Sequence, residues 1–372
     1  MDSLTETSNN ALLDEGRRVM QICNACRYCE GFCAVFPAME KRFDFTSGDL
    51  KYLANLCHDC RECYYSCQYS PPHEFQLNVP KTFAAIRQQT YREYAWPSFM
   101  VSLFSNSKRA LLISTFIFPV FFILASLLLV GPDALFTAYS DADGSFYRIV
   151  SHTMLVWGFG SAGIFAVIAM LVGGYRFWQE TTAEKSAVFD LRAVVRALHD
   201  AMRLRYLGGA SGEGCAYPEE QASNLRRRFH HLTFYGFMLC FAATSVATVY
   251  HYLFDLPAPY AFFSLPVQLG FFGGIMLLVG PLGLLYLKRI RDPEPADTLQ
   301  TGMDITFLVL LLATSITGLL LLFLRETGMM GIMLVIHLGL VMGLFITMPY
   351  GKFVHGIYRL SALVKNAKEE GV

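Results

Sequence analysis

The sequence predicts a mainly α-helical protein in two parts: a small cysteine-bearing domain over residues 15–95, then a membrane domain over 96–372 built as a six-helix transmembrane bundle. Three observations carry that prediction. Eight of the ten cysteines lie before residue 68. Hydrophobic residues make up 54% of the chain, with 31 phenylalanines, which does not fit a soluble protein of this size. Six apolar runs are long enough to cross about 30 Å of hydrocarbon. The formal net charge is zero, so a nucleic-acid partner has no support.

The cysteines come first. They form two copies of one spacing, Cys23-x2-Cys26-x2-Cys29-x3-Cys33 and Cys57-x2-Cys60-x2-Cys63-x3-Cys67. Three thiolates two residues apart can converge on one face of a cubane, and the duplication predicts two [4Fe-4S] clusters. In two-cluster ferredoxins the fourth cysteine of each run ligates the other cluster. One cluster is therefore expected on Cys23, Cys26, Cys29 and Cys67, and the other on Cys57, Cys60, Cys63 and Cys33. Zinc needs four ligands and has no use for a third closely spaced cysteine in both halves. A disulfide framework needs an oxidising compartment, and the opening residues show no secretory signal. The proline that usually follows the fourth cysteine is replaced by Ala34 and Gln68, with Pro37 and Pro71 slightly later. Arg17 to Cys26 and Thr46 to Leu56 read as helices, which points to an alpha-helical ferredoxin of the kind found in fumarate and succinate dehydrogenase iron–sulfur subunits.

The spans follow, near 110–131, 152–174, 232–253, 263–287, 304–324 and 330–349. Pro266 and Pro281 interrupt the fourth; neighbouring helices can re-satisfy the backbone there. Lys108, Arg109, Arg176, Arg226, Arg227, Arg228, Lys288, Arg289, Arg291, Lys352 and Arg359 all flank the spans on one side if there are six crossings. That places the cluster domain and both termini in the cytoplasm of a bacterial inner (cytoplasmic) membrane. In the loop 176–229, Ala187–Leu207 sets Val188, Leu191, Val195, Leu198 and Met202 at helical spacing among arginines. This reads as an amphipathic helix on membrane lipid, or one packed under the cysteine domain. The glycine-rich 208–214 reads as a loop, and Cys215 beside it needs no function.

Histidines give the membrane part a purpose, because an imidazole at membrane depth is costly without a partner or ligand. His337 and His355 are eighteen residues apart, which on one continuous helix is five turns on one face, about 27 Å. One ring would lie near each side of the bilayer, as two haem b groups require. The inner haem is expected on His355 with His230 or His231, the outer on His337 with His251, with His152 as the rival for the last position. His58, His73 and His199 are expected to be solvated.

The segment VIHLGLVMGLFITMPYGKFVHGIY, 335–358, resembles the last helix of nitrate reductase gamma-type membrane cytochromes, and RRRFHHLTFYGFMLCF, 226–241, is similar to the helix that faces it there. Tandem cluster motifs, the linker YREYAWPSF at 91–99 and six spans together resemble the tricarballylate-utilisation, or citrate-utilisation, protein B family over nearly the full chain. They also resemble the C-terminal half of a fused flavoprotein of cobalamin biosynthesis. The resemblance implies a membrane electron-transfer component of an oxidoreductase. It would reoxidise the flavin of an FAD-dependent dehydrogenase subunit and pass electrons to quinone.

The residues themselves lead the same way: flavin to clusters, clusters to haem, haem to a lipid-dissolved quinone. The GxGxxG at Gly158, Gly160 and Gly163 lies inside a span rather than after a strand, so it reads as helix packing, not as a dinucleotide site. The donor must then be a separate subunit, with Lys41, Arg42, Lys51 and Arg61 as candidate docking charges. The alternative is a membrane-anchored iron–sulfur redox sensor, which would need an output extension beyond LVKNAKEEGV. A transporter would need polar groups at mid-membrane.

Overall fold

A computed structural model describes residues 2–139, 145–182, 190–209 and 212–371. The cysteine-bearing head is made of α1 (Asp2–Cys26), α2 (Val35–Glu40), α3 (Ser47–Leu56), α4 (Glu62–Tyr65) and α5 (Val79–Tyr94). Thr46 and Asp49 form a reciprocal capping box that starts α3, and Asn78 caps α5 ahead of Pro80. Val19, Met20, Leu50, Leu53, Phe83 and Ile86, at helical spacing on α1, α3 and α5, form a fully buried core. The head is thus an all-helical cysteine domain. Among the described residues the only strands are the two-residue pair β1 (Cys215–Ala216) and β2 (Ala222–Ser223), far along the chain.

After α6 (Ser98–Phe104), the first span is composite: α7 (Ser107–Leu112), a π-helical turn over 113–117 and α8 (Phe118–Leu129). Pro119 has no N–H to donate, and the ladder widens just ahead of it. The short α9 (Gly131–Phe136) caps that end. The remaining spans are α10 (His152–Thr181), α12 (Leu225–Phe254), α13 (Leu265–Ile290), α14 (Thr298–Leu324) and α15 (Met330–Thr347), with α11 (Leu191–Met202) between the second and third and α16 (His355–Glu369) after the last. All six expected crossings are present as helices of membrane-spanning length. Large apolar side chains such as Leu128, Trp157, Leu171 and Phe241 point outward from them, as lipid-facing helices require.

Close packing is set by small residues, but not those the sequence reading chose. Gly158 and Gly160 have open space where a Cβ would stand, and Gly163 meets only Phe345, so that stretch does not bring helices together. Gly339 and Gly343 do: a Cβ there would stand 2.5 Å from Pro119 Cα and from the Ser114 carbonyl oxygen, which seats α15 against the first span. Gly236 and Gly273 play the same part between α12 and α13.

The sixth span also differs from expectation. It is not one helix running from His337 to His355, because α15 stops at Thr347 and α16 starts anew at His355 after a 3-10 turn over 352–354. Pro349 and Gly351 lie in the break and cannot sustain the ladder. The five-turn, one-face argument therefore does not hold. Instead α16 folds back under the head: Arg42 pairs with Glu369 at 2.6 Å, and Arg359 donates to the Cys57 carbonyl. The head, α11 and α16 lie together at one end of the bundle.

The amphipathic segment starts later than expected, at Leu191, and ends at Met202, where Leu204 takes a left-handed conformation; Val188 lies outside the described residues. Ala193 and Ala197 seat α11 on α16, while Leu191, Val195, Leu198 and Met202 face outward.

Candidate cluster and haem sites

The loops that follow α1 and α3 turn back sharply. Arg27, Asp59 and Arg61 adopt left-handed backbone, unusual for residues with a Cβ and a form of strain that concentrates at functional sites. These turns, with α4, gather the eight cysteines into two groups. Cys23, Cys26, Cys29 and Cys67 line a cavity of about 280 Å³, with Cys63 at its edge and Tyr28, 68% exposed, on its outer wall. Cys33, Cys57, Cys60 and Cys63 line a second, much tighter space of about 10 Å³ beneath it. The fourth cysteine of each run thus lines the same space as the first three of the other, and Cys63 borders both spaces. All ten cysteines are free thiols, and no three metal-binding side chains among the described residues converge on one point.

The donor set fits iron–sulfur clusters. Backbone amides are aimed at the sulfurs: Asp59 and Tyr69 donate to Cys57 Sγ and Cys67 Sγ at 3.4 Å, and the amides of Val35 and Phe36 face Cys33. Such bonds favour the thiolate that a cluster needs. Without iron, burial and the adjacent thiols push Cys23, Cys29 and Cys33 up to about 12, so iron must displace protons to bind. The second space must widen for a cubane; the first already holds the volume of several waters.

The second group is bedded in cations: Arg226 and Arg359, expected as topology markers, Arg61, expected as a docking charge, and Arg87, which the sequence did not single out. Arg87 donates to the carbonyls of Ala54 and Cys57, Arg226 to those of Asp59 and His58, and Arg359 to Cys57. Arg61 is buried and donates to the Asp292 carbonyl. Lys51, also buried, pairs with Glu93 and Glu180; Arg42 pairs with Asp49 and Glu369; Lys41 donates to the Glu369 carbonyl. None of the four expected docking charges is free, because each is consumed holding the head to α10, α16 or the 291–297 loop. His58 is likewise buried rather than solvated, bonded through Nδ1 to the Leu56 carbonyl at 2.8 Å and packed on Tyr206. His199 is exposed as expected, and His73 packs with Tyr69 and Phe75 at the surface of the head. Cys215 is buried beside Cys60.

Between His230 and His231, the structure brings His230 to His355, with ring centroids 6.2 Å apart; His231 turns toward Tyr235. His355 Nδ1 donates to the Lys352 carbonyl at 2.6 Å, which leaves its Nε2 as a bare lone pair. Burial, then the charges of Lys352 and Arg359, hold it well below its ordinary value, hence neutral, the form that ligates. His230 Nδ1 is buried without a partner. At the far end stand three of the expected histidines. His251 stacks on His152 at 3.9 Å, with Tyr147 and Tyr252 edge-on to both rings. His337 bonds Thr317 at 3.1 Å. The Thr317 hydroxyl turns its proton to the carbonyls of Ala313 at 2.8 Å and Thr314 at 3.1 Å, so it accepts from His337 Nδ1, and the Thr314 carbonyl also bonds the His337 ring.

An all-helical cysteine head carried on six apolar helices defines a multi-pass membrane protein with a ferredoxin-like domain. The chain belongs to the citrate utilization protein B family: that family matches residues 105–372, and the family's Fer4-like domain matches residues 16–93. It is 48% identical over 356 residues to the Citrate utilization protein B of Escherichia coli, covering 96% of this chain and 92% of that one. No solved structure matches it.

Proposed function

We propose that this protein carries electrons from the reduced flavin of a partner dehydrogenase, through two [4Fe-4S] clusters and haem b, to membrane quinone, in the service of tricarboxylate use of the kind its relative's name describes. One observation carries the reading. The second cysteine group and the inner histidine pair are structurally continuous, since Arg359, one turn after His355 on α16, donates to the carbonyl of Cys57. The first group, with Tyr28 exposed on its wall, faces outward where a donor can approach. The order is then donor, first group, second group, His230 and His355. Iron–sulfur chemistry would supply one-electron steps that split the flavin's two; this chain's residues hold the sulfurs, donate to them and exclude water. His337 would ligate a second haem. The head and α16 occupy the cytoplasmic end of an inner-membrane bundle, the end rich in Lys and Arg.

A dithionite-reduced minus oxidised spectrum of detergent-purified protein, with iron and haem quantified, tests this. The expected result is a b-type α band with about eight non-haem irons per chain. Iron without haem removes the histidine part of the relay, and haem without iron removes the cysteine part.

A further inference from the structure

We propose that the cavity between α5, α6, α14 and α15 binds the head group of the quinone, an assignment that rests on the relay reading above. The cavity lies where the head meets the bundle and measures about 40 Å³. Its walls mix apolar and polar side chains: Phe104 stacks on Tyr350 at 5.6 Å beside Phe307, Leu310 and Leu344, and Arg92, Thr306, Thr347 and Lys352 also reach it. Two polar groups on one face of α5 look into it. Gln88 is 94% buried (6% exposed), and its amide nitrogen has no hydrogen-bond partner among the described residues. Tyr91, one turn on, is buried and stacks on Tyr358.

A buried donor without an acceptor is costly and calls for a ligand that supplies one. A quinone does: a flat apolar ring with a carbonyl acceptor at each end. The ring is larger than the space, but Met303 and Met348 line it, and thioether side chains repack readily. The placement suits transfer as well. The residue before Gln88, Arg87, donates to the Cys57 carbonyl, and Lys352 in the cavity wall accepts from His355 Nδ1. Bound here, the quinone takes two electrons from the reduced relay and two protons from water on the head's side of the bundle. Its two carbonyls become hydroxyls, and it leaves as the quinol.

The test is equilibrium binding of decylubiquinone to the full-length protein in detergent, read by quenching of Trp96 and the other tryptophans. Gln88→Leu and Tyr91→Phe should each weaken binding about tenfold, with iron content and reduced spectrum unchanged. Val101→Phe, which enlarges a half-buried side chain of the lining far from the cysteines, should do the same and decides the case if Gln88→Leu loses iron. Unchanged affinity in Gln88→Leu and Val101→Phe overturns the site. The relay fails separately: reduced protein that binds decylubiquinone with this mutational pattern but never oxidises overturns the relay and leaves the site standing. Quinone reduction at the parent's rate in all three variants overturns the site and leaves the relay.

Discussion

Arg359 donates from α16 to the backbone carbonyl of Cys57 at 2.5 Å. Arg87 reaches the same carbonyl from α5 at 3.1 Å. Two helices from opposite ends of the chain thus converge on one turn of the cysteine domain, with Arg226 closing the third side at Asp59 and His58. The carboxylate within this cage is Asp59, so positive charge is in excess around Cys33, Cys57, Cys60 and Cys63. No such cage surrounds the cavity of Cys23, Cys26, Cys29 and Cys67, which opens past Tyr28. Buried positive charge favours the more negative, reduced form of a cluster, and cluster potentials follow local charge and hydrogen bonding. With clusters bound, these residues would give the second group the higher potential, and electrons would pass from the first to it.

Arg359→Gln keeps some hydrogen-bonding capacity and removes the charge. The more oxidising of two cluster signals in a redox titration followed by electron paramagnetic resonance should shift to lower potential, with the other signal unmoved. The lost charged hydrogen bond should also cost about 1.5–3 kcal/mol of stability. Equal shifts in both signals would show that the cage does not distinguish the groups.

Cys67→Ser and Cys33→Ser test the exchange of fourth ligands. Cys67→Ser should perturb the cluster that Cys23→Ser also perturbs, and Cys33→Ser the one that Cys63→Ser perturbs, each read from iron content and cluster spectra. The reverse pattern would mean that each run closes on itself despite the way the chain brings them together.

Thr317→Val removes the acceptor that fixes the proton on His337 Nδ1 while keeping the side chain's shape. Loss of such an orienting partner typically weakens a metal site by roughly 10–100-fold, so this variant should retain less haem than the parent in a pyridine haemochrome assay. His355→Ala should remove the inner haem outright. Full haem occupancy in Thr317→Val would mean that His337 is not a ligand.

The spans, the helical head and the grouping of cysteines were legible because each depends on local spacing: apolar runs of one helix length, or thiols within one turn. The fate of the basic residues was not. Arg226 and Arg359 mark the same side of the membrane under the topology rule whether they stand in solvent or, as here, bond to the head. Only the tertiary contact tells the two apart. The break at Pro349 was visible in sequence, yet the eighteen-residue interval between His337 and His355 looked like helical periodicity and outweighed it. The stacking of His251 on His152 depends on which helices are neighbours, and spacing along one chain does not encode that.

Asp49 gives the clamp between head and α16 a pH dependence. Burial favours its neutral form, but hydrogen bonds from Thr46 and Arg42 and the charge of Arg42 prevail and hold its carboxyl below the ordinary carboxylate value. A folded value lower than the unfolded one stabilises the protein above the unfolded pKa of about 4 and is lost as pH falls through the folded value. Release of α16 to limited proteolysis should therefore stay flat from neutral pH down to about 4 and rise below it. In Arg42→Gln, which breaks the bridges to Asp49 and Glu369 together, release should already be high at neutral pH.

The outward stripe of α11 makes the last prediction. Leu191, Val195, Leu198 and Met202 are 63%, 57%, 42% and 47% exposed, whereas the opposite face is seated on α16 through Ala193 and Ala197. The C-terminus of the helix is tied to the membrane boundary: Tyr235, on the lipid-facing side of α12, donates to the Met202 carbonyl at 3.1 Å, and Arg227 donates to that of Arg203 at 2.8 Å. Arg192 flanks the stripe, as in helices that lie in an anionic interface, while Arg196 pairs with Glu370 at 2.6 Å. A stripe so placed should rest on lipid. Val195→Trp in vesicles of brominated, partly anionic phospholipid should then lose its added emission relative to the same protein in unbrominated lipid, because bromine quenches only an indole it can touch. Equal emission in the two lipids would place the stripe against protein or water, and a self-association assay on Leu198→Glu would then show whether a second copy covers it.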